Sequence, residues 1–480
     1  MVVVVGAGAT GLGVAWDLML RGVAVIVVDQ GDLAHGTSGR FHGLLHSGAR
    51  YVLTDAVAAG QCQAENLCLR RIAGPYIEDT GGLFAAPPEV PDRLIDQWKQ
   101  GCRAVNIPVA ESVVVKGLNS RWNRVFSVND GVINGYPLLQ ALARGIEEGG
   151  GRVLTHTRLV GAAEANGKIR KVILESAEGT QELAVDAVVN AAGPWAGEVA
   201  ALWGDPLPLT LSRGVMVLFS HRQQPQVINR LDMPGDGDIL VPHDHISIWG
   251  TTDRETALPE APPPDYQEVI ELMERGQEMF PDMGQWRVLR AFTGVRPLYR
   301  APGSGSASTR DISRDFVVVE HPLSGAFSVI GGKWTTFRLM AQQVADRVAG
   351  YLHYSTPCQT QSHPLPPRLE SFDSSGLAEP FLCECERVST RQLQQYSGGS
   401  LSDLRTRTWF GMGPCQGTFC GHRVAAWQSL RVGVEQSDQE LLNFRSERER
   451  GMLSALWGDN AVEWLLQRNI RFQGLGEPTK

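Results

Sequence analysis

An α/β fold built on a doubly wound, dinucleotide-binding core is predicted by two features. One is the order strand, glycine turn, helix, strand over residues 2–29; the other is a pair of later strands that each run into glycines. Residues 2–5 are four valines, the composition of a buried parallel strand. Gly6-Ala7-Gly8-Ala9-Thr10-Gly11 follows, a G-x-G-x-x-G, with Gly13 just behind it. Residues 12–21 have helical spacing, and Val23–Val28 reads as a second buried strand ending at Asp29. Gly6 permits the tight turn, Gly8 lets a pyrophosphate approach the backbone, and Gly11 lets helix and strand pack closely. The helix N-terminus then faces the phosphates, and the Asp29 carboxylate can accept from a ribose hydroxyl. A lone G-x-G-x-x-G says little, but in this full context it points to dinucleotide binding.

The two later strands choose between dinucleotides. Val185-Asp186-Ala187-Val188-Val189-Asn190-Ala191-Ala192-Gly193 is a buried strand ending in small residues, suited to bring backbone at Ala192 and Gly193 to the adenosine side. Phe327-Ser328-Val329-Ile330-Gly331-Gly332-Lys333 is a third strand, and residues 335–348 then read as a helix. That helix N-terminus, after Gly331 and Gly332, can face the negative end of a reduced flavin ring. Three returns to one nucleotide favour FAD over NAD.

The totals bound the remaining classes. At 480 residues the chain can hold two or three domains. With 43% apolar and 20% charged residues it has the balance of a globular protein. The net charge of −8 and the lack of a long basic run argue against nucleic acid as a partner. The N-terminus lacks a basic flank, and glycines interrupt its apolar run, so it is not read as a signal peptide. No run of 18 apolar residues is present, so any membrane contact is expected to be peripheral. Cys62, Cys68, Cys102 and Cys358 are scattered and read as buried thiols. Cys383, Cys385, Cys415 and Cys420 cluster late, as at a cofactor site in a reducing compartment.

Residues 39–51, GRFHGLLHSGARY, gather Arg40, His42, His46, Arg50 and Tyr51 among small and apolar residues. His42, His46 and Arg50 would share one face of a helix, but Gly43 and Gly48 oppose a long helix there. On its own the stretch reads equally well as a solvated basic turn. The longer run Gly36–Tyr51 resembles the segment after the second strand in FAD-dependent glycerol-3-phosphate dehydrogenases. So do Gly250-Thr251-Thr252-Asp253, Thr293-Gly294-Val295-Arg296-Pro297-Leu298, Ser313-Arg314-Asp315-Phe316 and Gly331-Gly332-Lys333-Trp334-Thr335-Thr336-Phe337-Arg338 resemble further segments of that family. The resemblance spans nearly the whole chain. It is nearest to the A-type subunits of the anaerobic, quinone-linked enzymes, because of the cysteine-bearing tail. Phe41 stands where that family often has Asn, and Asn134-Gly135 replaces an Asp-Pro.

The resemblance implies an FAD-binding Rossmann-like domain of the glutathione-reductase type, D-amino-acid-oxidase-like, with an interleaved α+β substrate domain. FAD residues are then expected mainly in 1–60, 140–200 and 320–353, and substrate residues in 61–139 and 201–319. Gly6, Gly8, Gly11, Asp29, Thr37, Ser38, Ala192, Gly193, Gly331 and Gly332 are expected on the cofactor. The implied reaction oxidises sn-glycerol 3-phosphate to dihydroxyacetone phosphate. The residue chemistry agrees with it. A phosphate-bearing polyol needs fixed cations, preferably forked arginines, and Arg50, Arg296, Arg314 and Lys333 are the candidates, with Tyr51 beside them. Oxidising a secondary alcohol needs a hydride acceptor and a base, and a histidine suits the second role. His46 is the choice over His42, with Arg296 and Lys333 grouped with it as catalytic. His243-Asp244-His245 resembles a metal-ligand pair, but no third ligand matches it, and it reads as a structural hairpin turn.

Residues 354–375 are rich in proline and serine and read as a linker. Cys383-Glu384-Cys385, then 29 residues, then Cys415-Gln416-Gly417-Thr418-Phe419-Cys420 suit zinc or a [2Fe–2S] cluster. C-x-C is tighter than the usual zinc knuckle, and Gly411, Gly413 and Gly417 leave backbone N–H groups for cluster sulfurs. The tail resembles the bacterioferritin-associated-ferredoxin-like domain, which favours a small [2Fe–2S] domain over 376–430. Residues 431–480, with Trp457, Val462, Trp464, Leu465 and Leu466, read as a packing or docking segment. The resemblance further implies B- and C-type partner subunits, a quinone as final acceptor, and a cytoplasmic place on the inner face of the cell membrane. The rival readings are a 2-hydroxy-acid dehydrogenase, an amine or imino-acid oxidase of the same fold, and a dead-site electron-transfer or scaffold protein.

Overall fold

The structure, a computed structural model, describes residues 1–111, 115–300, 309, 312, 315–367, 380–396 and 399–472. Val2–Val5 forms the centre of the first sheet. It pairs in parallel with Val25–Val28 on one side and Ala187–Asn190 on the other. Arg152–Leu154 and Ala326–Gly331 extend the sheet outward in parallel, and Phe316–Glu320 adds an antiparallel edge. Both faces of the central strands are covered, which is why they read as unbroken apolar runs instead of alternating ones.

Helices Ala9–Leu20 and Phe337–Tyr351 pack in one core, through Leu12 and Val14 with Val344 and Val348. Gly13 makes their close approach possible: a Cβ there would lie 3.0 Å from the Ala341 side chain. The second strand is shorter than its apolar run, Val25–Val28 instead of Val23–Val28, because the chain turns at Gly22 with φ +86°. The third glycine strand leads first into a 3-10 turn, Trp334–Thr336, so the helix begins at Phe337.

A second, mostly antiparallel sheet carries the other wall of the molecule. Its strands run in the order Arg254–Thr256, Leu209–Phe219, Ile246–Gly250, Ile239–His243, Val227–Arg230, Gly82–Ala86, Arg124–Val128, Ala110–Glu111, with Val288–Tyr299 also on Leu209–Phe219. Its core gathers Phe219, Trp249 and Phe280. The chain crosses between the two sheets repeatedly, so strands of the glycine-bearing sheet and of the second wall alternate along the sequence.

The stretch read as a linker is packed over its described part, residues 354–367. The Cys358 thiol bonds Asp17 at 2.9 Å, Leu365 N–H donates to the Ile72 carbonyl at 2.9 Å, and Tyr76 Oη donates to the Pro366 carbonyl at 2.6 Å. Proline and serine mark absence of regular structure; they do not prevent a strap from binding the surface. Beyond it, a hairpin of Phe381–Cys383 and Val388–Ser389 joins helices Leu401–Thr408, Cys420–Val432 and Val434–Arg450 around a separate core with Phe410 and Phe444. This unit is seated on the rest of the chain. Thr406 Oγ1 donates to Asp32 at 2.7 Å, and Gln140 donates to the Thr406 carbonyl at 2.8 Å. The final helix, Gly458–Phe472, leaves Val462, Leu465 and Leu466 half or more exposed. No helix among the described residues is long and apolar enough to cross a membrane.

Candidate active site

One cavity of about 800 Å³ runs between the two sheets, within the roughly 300–1,000 Å³ usual for ligand sites. At one end lies the glycine turn. Gly6 has φ +109°, and a Cβ at Gly11 would come 1.9 Å from the Gly6 carbonyl oxygen, so neither position accepts a side chain. Ala9 N–H at the helix start donates to Ser38 Oγ at 3.0 Å, and the bare Gly8 faces that same oxygen. Asp29 accepts from the N–H groups of Ala7 and Gly31 at 2.7 and 2.9 Å. Burial pushes its carboxyl up, and those two N–H groups oppose the shift. Ala192, Gly193, Gly331 and Gly332 line the same cavity from the neighbouring strands. Thr37 Oγ1 donates to the Val295 carbonyl at 2.5 Å and so ties the cofactor loop to the second sheet. Of the expected cofactor residues, only Gly11 does not line the cavity; its place is the helix–strand contact. The glycine cradle, the helix N-terminus and a volume of about 800 Å³ fit FAD.

At the other end, residues 40–51 form no helix. They make a two-residue strand, Leu44–Leu45, on Gly131–Ile133, with Gly43 and Gly48 at φ +85° and +99°. The His46 backbone is held at both ends. Its N–H donates to Thr335 Oγ1 at 3.0 Å, and its carbonyl accepts from Asn66 Nδ2 at 3.2 Å. Asp130 secures the next residue by accepting from Ser47 N–H at 2.7 Å. The Tyr51 ring stands between His46 and Lys333: its centroid is 5.3 Å from that of His46 and 4.6 Å from Lys333 Nζ.

Arg296 enters from Val288–Tyr299. Its guanidinium donates to Ser212 Oγ at 3.2 Å, Thr251 Oγ1 at 3.0 Å and the Thr252 carbonyl at 3.2 Å. Ser212 is oriented in turn by Asp253, at 2.6 Å. The Gly250–Asp253 motif is therefore a mount for Arg296. Arg50 pairs with Asp238 at 2.9 Å. His46, Arg50, Tyr51, Arg296 and Lys333 all line the cavity, while Arg314 lies outside the described residues.

Burial, reinforced by His42 and by the charges of Lys333 and Arg50, drives the His46 imidazole well below its ordinary range. His42 is pushed down to about 3, by burial first and then by Arg296 and Arg50. Both rings are neutral near neutral pH, so a free imidazole faces a set of fixed cations. The two departures from the family pattern meet here. Phe41 stacks on Trp334 with centroids 5.0 Å apart, and a Cβ at Gly135 would lie 2.8 Å from the Phe41 ring. Gly135 makes the room that Phe41 fills.

Sequence reasoning missed Asn66, Asp130, Asp238 and Ser212. They are polar residues in ordinary helix, strand or loop settings, and only the tertiary contacts mark them. His243-Asp244-His245 is a hairpin turn between Ile239–His243 and Ile246–Gly250, as expected. His243 is buried and held neutral, at about 4, chiefly by that burial.

The four late cysteines converge in a second place. Cys383 and Cys385 sulfurs are 3.7 Å apart, and Cys385 and Cys415 3.8 Å. Cys420 lies beside both Cys383 and Cys415. The N–H groups of Gly411 and Glu386 face the Cys383 sulfur, and those of Gly417 and Phe419 face Cys415. Contact among the thiols, then these amides, lowers Cys383 and Cys415, and the same thiol contacts raise Cys385 and Cys420. A Cβ at Gly413 would lie 2.7 Å from Cys385 Sγ, so that glycine is the close backbone approach.

A glycine-cradled cavity between a parallel sheet and the wall that carries Arg296 is the setting of a flavoprotein oxidoreductase, and the family match bears this out. The chain belongs to the FAD dependent oxidoreductase family, whose model matches residues 1–347. Within it the chain belongs with the A-type subunits of anaerobic glycerol-3-phosphate dehydrogenases. It is 36% identical to the A1 chain of the anaerobic glycerol-3-phosphate dehydrogenase of Haloferax volcanii, over 98% of this chain and 89% of that one. It is 34% identical to the corresponding A-type polypeptide of the Escherichia coli K12 enzyme, over 99% and 96%. Among solved structures, the glycerol-3-phosphate dehydrogenase of Bacillus halodurans complexed with FAD shares the fold, with a TM-score of 0.67, 19% identity and 94% of each chain covered.

Proposed function

We propose that this protein oxidises sn-glycerol 3-phosphate to dihydroxyacetone phosphate and passes the electrons singly through a [2Fe–2S] cluster to partner subunits and a quinone. The observation that carries the first part is the neutral, backbone-anchored His46 in one cavity with Arg50, Arg296, Lys333 and the glycine cradle. FAD, when bound, supplies the hydride acceptor. The chain's own residues do the rest. Arg296, with Arg50 and Lys333, binds the phosphate; Arg314 belongs to the same set by sequence. Tyr51 packs against both base and cation. His46, neutral before the reaction, takes the hydroxyl proton on a ring nitrogen. Anaerobic glycerol 3-phosphate should bleach the flavin, and lactate or glycine should not. Bleaching by a hydroxy acid or an amino acid in its place would overturn the assignment.

One feature favours a cluster over zinc: backbone N–H groups already face the sulfurs, the hydrogen bonding that tunes iron–sulfur centres. Cys415→Ser is expected to leave substrate bleaching of the flavin intact and to abolish quinone reduction in the assembled complex. Iron and sulfide analysis with stopped-flow bleaching checks this; stoichiometric zinc without iron would sink the cluster. The flavin itself is expected to be non-covalent, because three separate backbone returns hold it. Acid precipitation should release it to the supernatant. The family membership, the exposed apolar face of Gly458–Phe472 and the lack of a spanning helix among the described residues support a peripheral protein docked on B- and C-type partners at the cytoplasmic face of the membrane.

A further inference from the structure

His243 and Trp409 have no part in binding substrate or moving its proton, yet they pack against each other between the two sites. Gly43 lies between His42 and Leu44, both of which line the cavity. Its missing side chain lets the His243 ring close on the back of that segment; a Cβ at Gly43 would lie 2.9 Å from His243 Cδ2. The His243 ring also stacks on Trp409, with centroids 5.6 Å apart and planes at 27°. Trp409 ends helix Leu401–Thr408 in the left-handed region, φ +69°. Bulky residues rarely adopt that conformation, and such outliers gather at functional positions. The chain then runs through Gly411, whose N–H faces the Cys383 sulfur, to Cys415, six residues beyond Trp409. One unbroken path of packed and bonded atoms thus joins the cavity wall to the four cysteines.

We propose that the His243–Trp409 stack is the electron bridge from the flavin site to the four-cysteine site. The proposal rests on the [2Fe–2S] reading of those cysteines. Electron tunnelling falls off less steeply through bonded and closely packed atoms than across gaps, and stacked π systems couple well. The substrate's electron pair leaves the reduced flavin in two single passages. Each passage oxidises the flavin by one electron and reduces the cluster from diferric to mixed-valence. An external one-electron acceptor, a metal centre or a quinone, reoxidises the cluster between passages, and the flavin protons go to water. The same hairpin holds the two units in place, because His245 meets Glu386, beside Cys385, at 3.4 Å.

The test is flash photoreduction of the flavin in the full chain without substrate, with cluster reduction followed by visible absorbance and EPR. Trp409→Leu and His243→Leu should each slow cluster reduction several-fold. Flavin bleaching by glycerol 3-phosphate, the cluster EPR spectrum and the melting temperature should stay as in the parent chain. Trp409→Phe, which keeps a ring, should restore most of the rate. Leucine variants that match the parent rate would overturn the bridge and leave the cluster standing. A parent chain with bleachable flavin but no iron or EPR signal would overturn both. Should Trp409→Leu lose its cluster, His243→Leu decides, since His243 lies outside the cysteine unit's core.

Discussion

His46→Asn is expected to lower kcat by about 10²–10⁴-fold, the usual contribution of a positioned general base. Asparagine keeps a polar side chain of similar reach, and the backbone anchors at Thr335 and Asn66 do not involve the ring. Flavin content and glycerol 3-phosphate binding should therefore survive. The pH profile is part of the prediction. Burial and the nearby cations hold the imidazole well below its ordinary 6.5, so the acid limb of kcat should lie below that pH. Stability follows the same linkage. His42, His46 and His243 all have folded values depressed from 6.5. The unfolded chain therefore takes up their protons first as the pH falls. Their contribution is complete above about 6.5 and is lost progressively toward 4 and 3, where His243 and His42 titrate in the fold. Urea midpoints measured across that window should fall with pH. A kcat that His46→Asn leaves unchanged would remove His46 from the chemistry.

Arg296→Lys is expected to cost about ten- to a hundredfold in kcat/KM, from the roughly 1.5–3 kcal/mol that a charge-assisted hydrogen bond contributes in a desolvated site. Lysine keeps the charge but loses the fork. Arginine is braced by Ser212, Thr251 and the Thr252 carbonyl, so its plane is set before the phosphate arrives. A lysine ammonium cannot satisfy those acceptors and a phosphate together. Flavin content should hold, because Arg296 contributes to the wall opposite the glycine turn. Steady-state kinetics with the flavin content of each preparation decides it, and parent-like kinetics would take Arg296 out of the site.

Much of this was readable in the chain itself, for local reasons. A glycine that must adopt φ +109°, or whose added Cβ would lie 1.9 Å from a carbonyl oxygen, has no substitute, so Gly6 and Gly11 declare the turn. Four valines in a row need two covered faces, which places them at the centre of a parallel sheet. Paired cysteines with glycines between them mark a candidate metal or cluster site because no other residue type donates thiolates. The cofactor follows from such residues, and so do the candidate cations and the candidate base.

The support around those groups depends on contacts between residues far apart in sequence. Ser212, Thr251 and Arg296 come from three separate segments and meet only after the second sheet has formed. Asn66 is an ordinary helical asparagine until the helix packs beneath His46. Proline and serine make residues 354–375 read as a linker, but over 354–367 the strap binds through backbone groups that composition does not report. Residue type sets which chemistry a side chain can perform. Burial, the angle of a guanidinium and the neutrality of an imidazole depend on what packs around it, and only the folded chain supplies those neighbours.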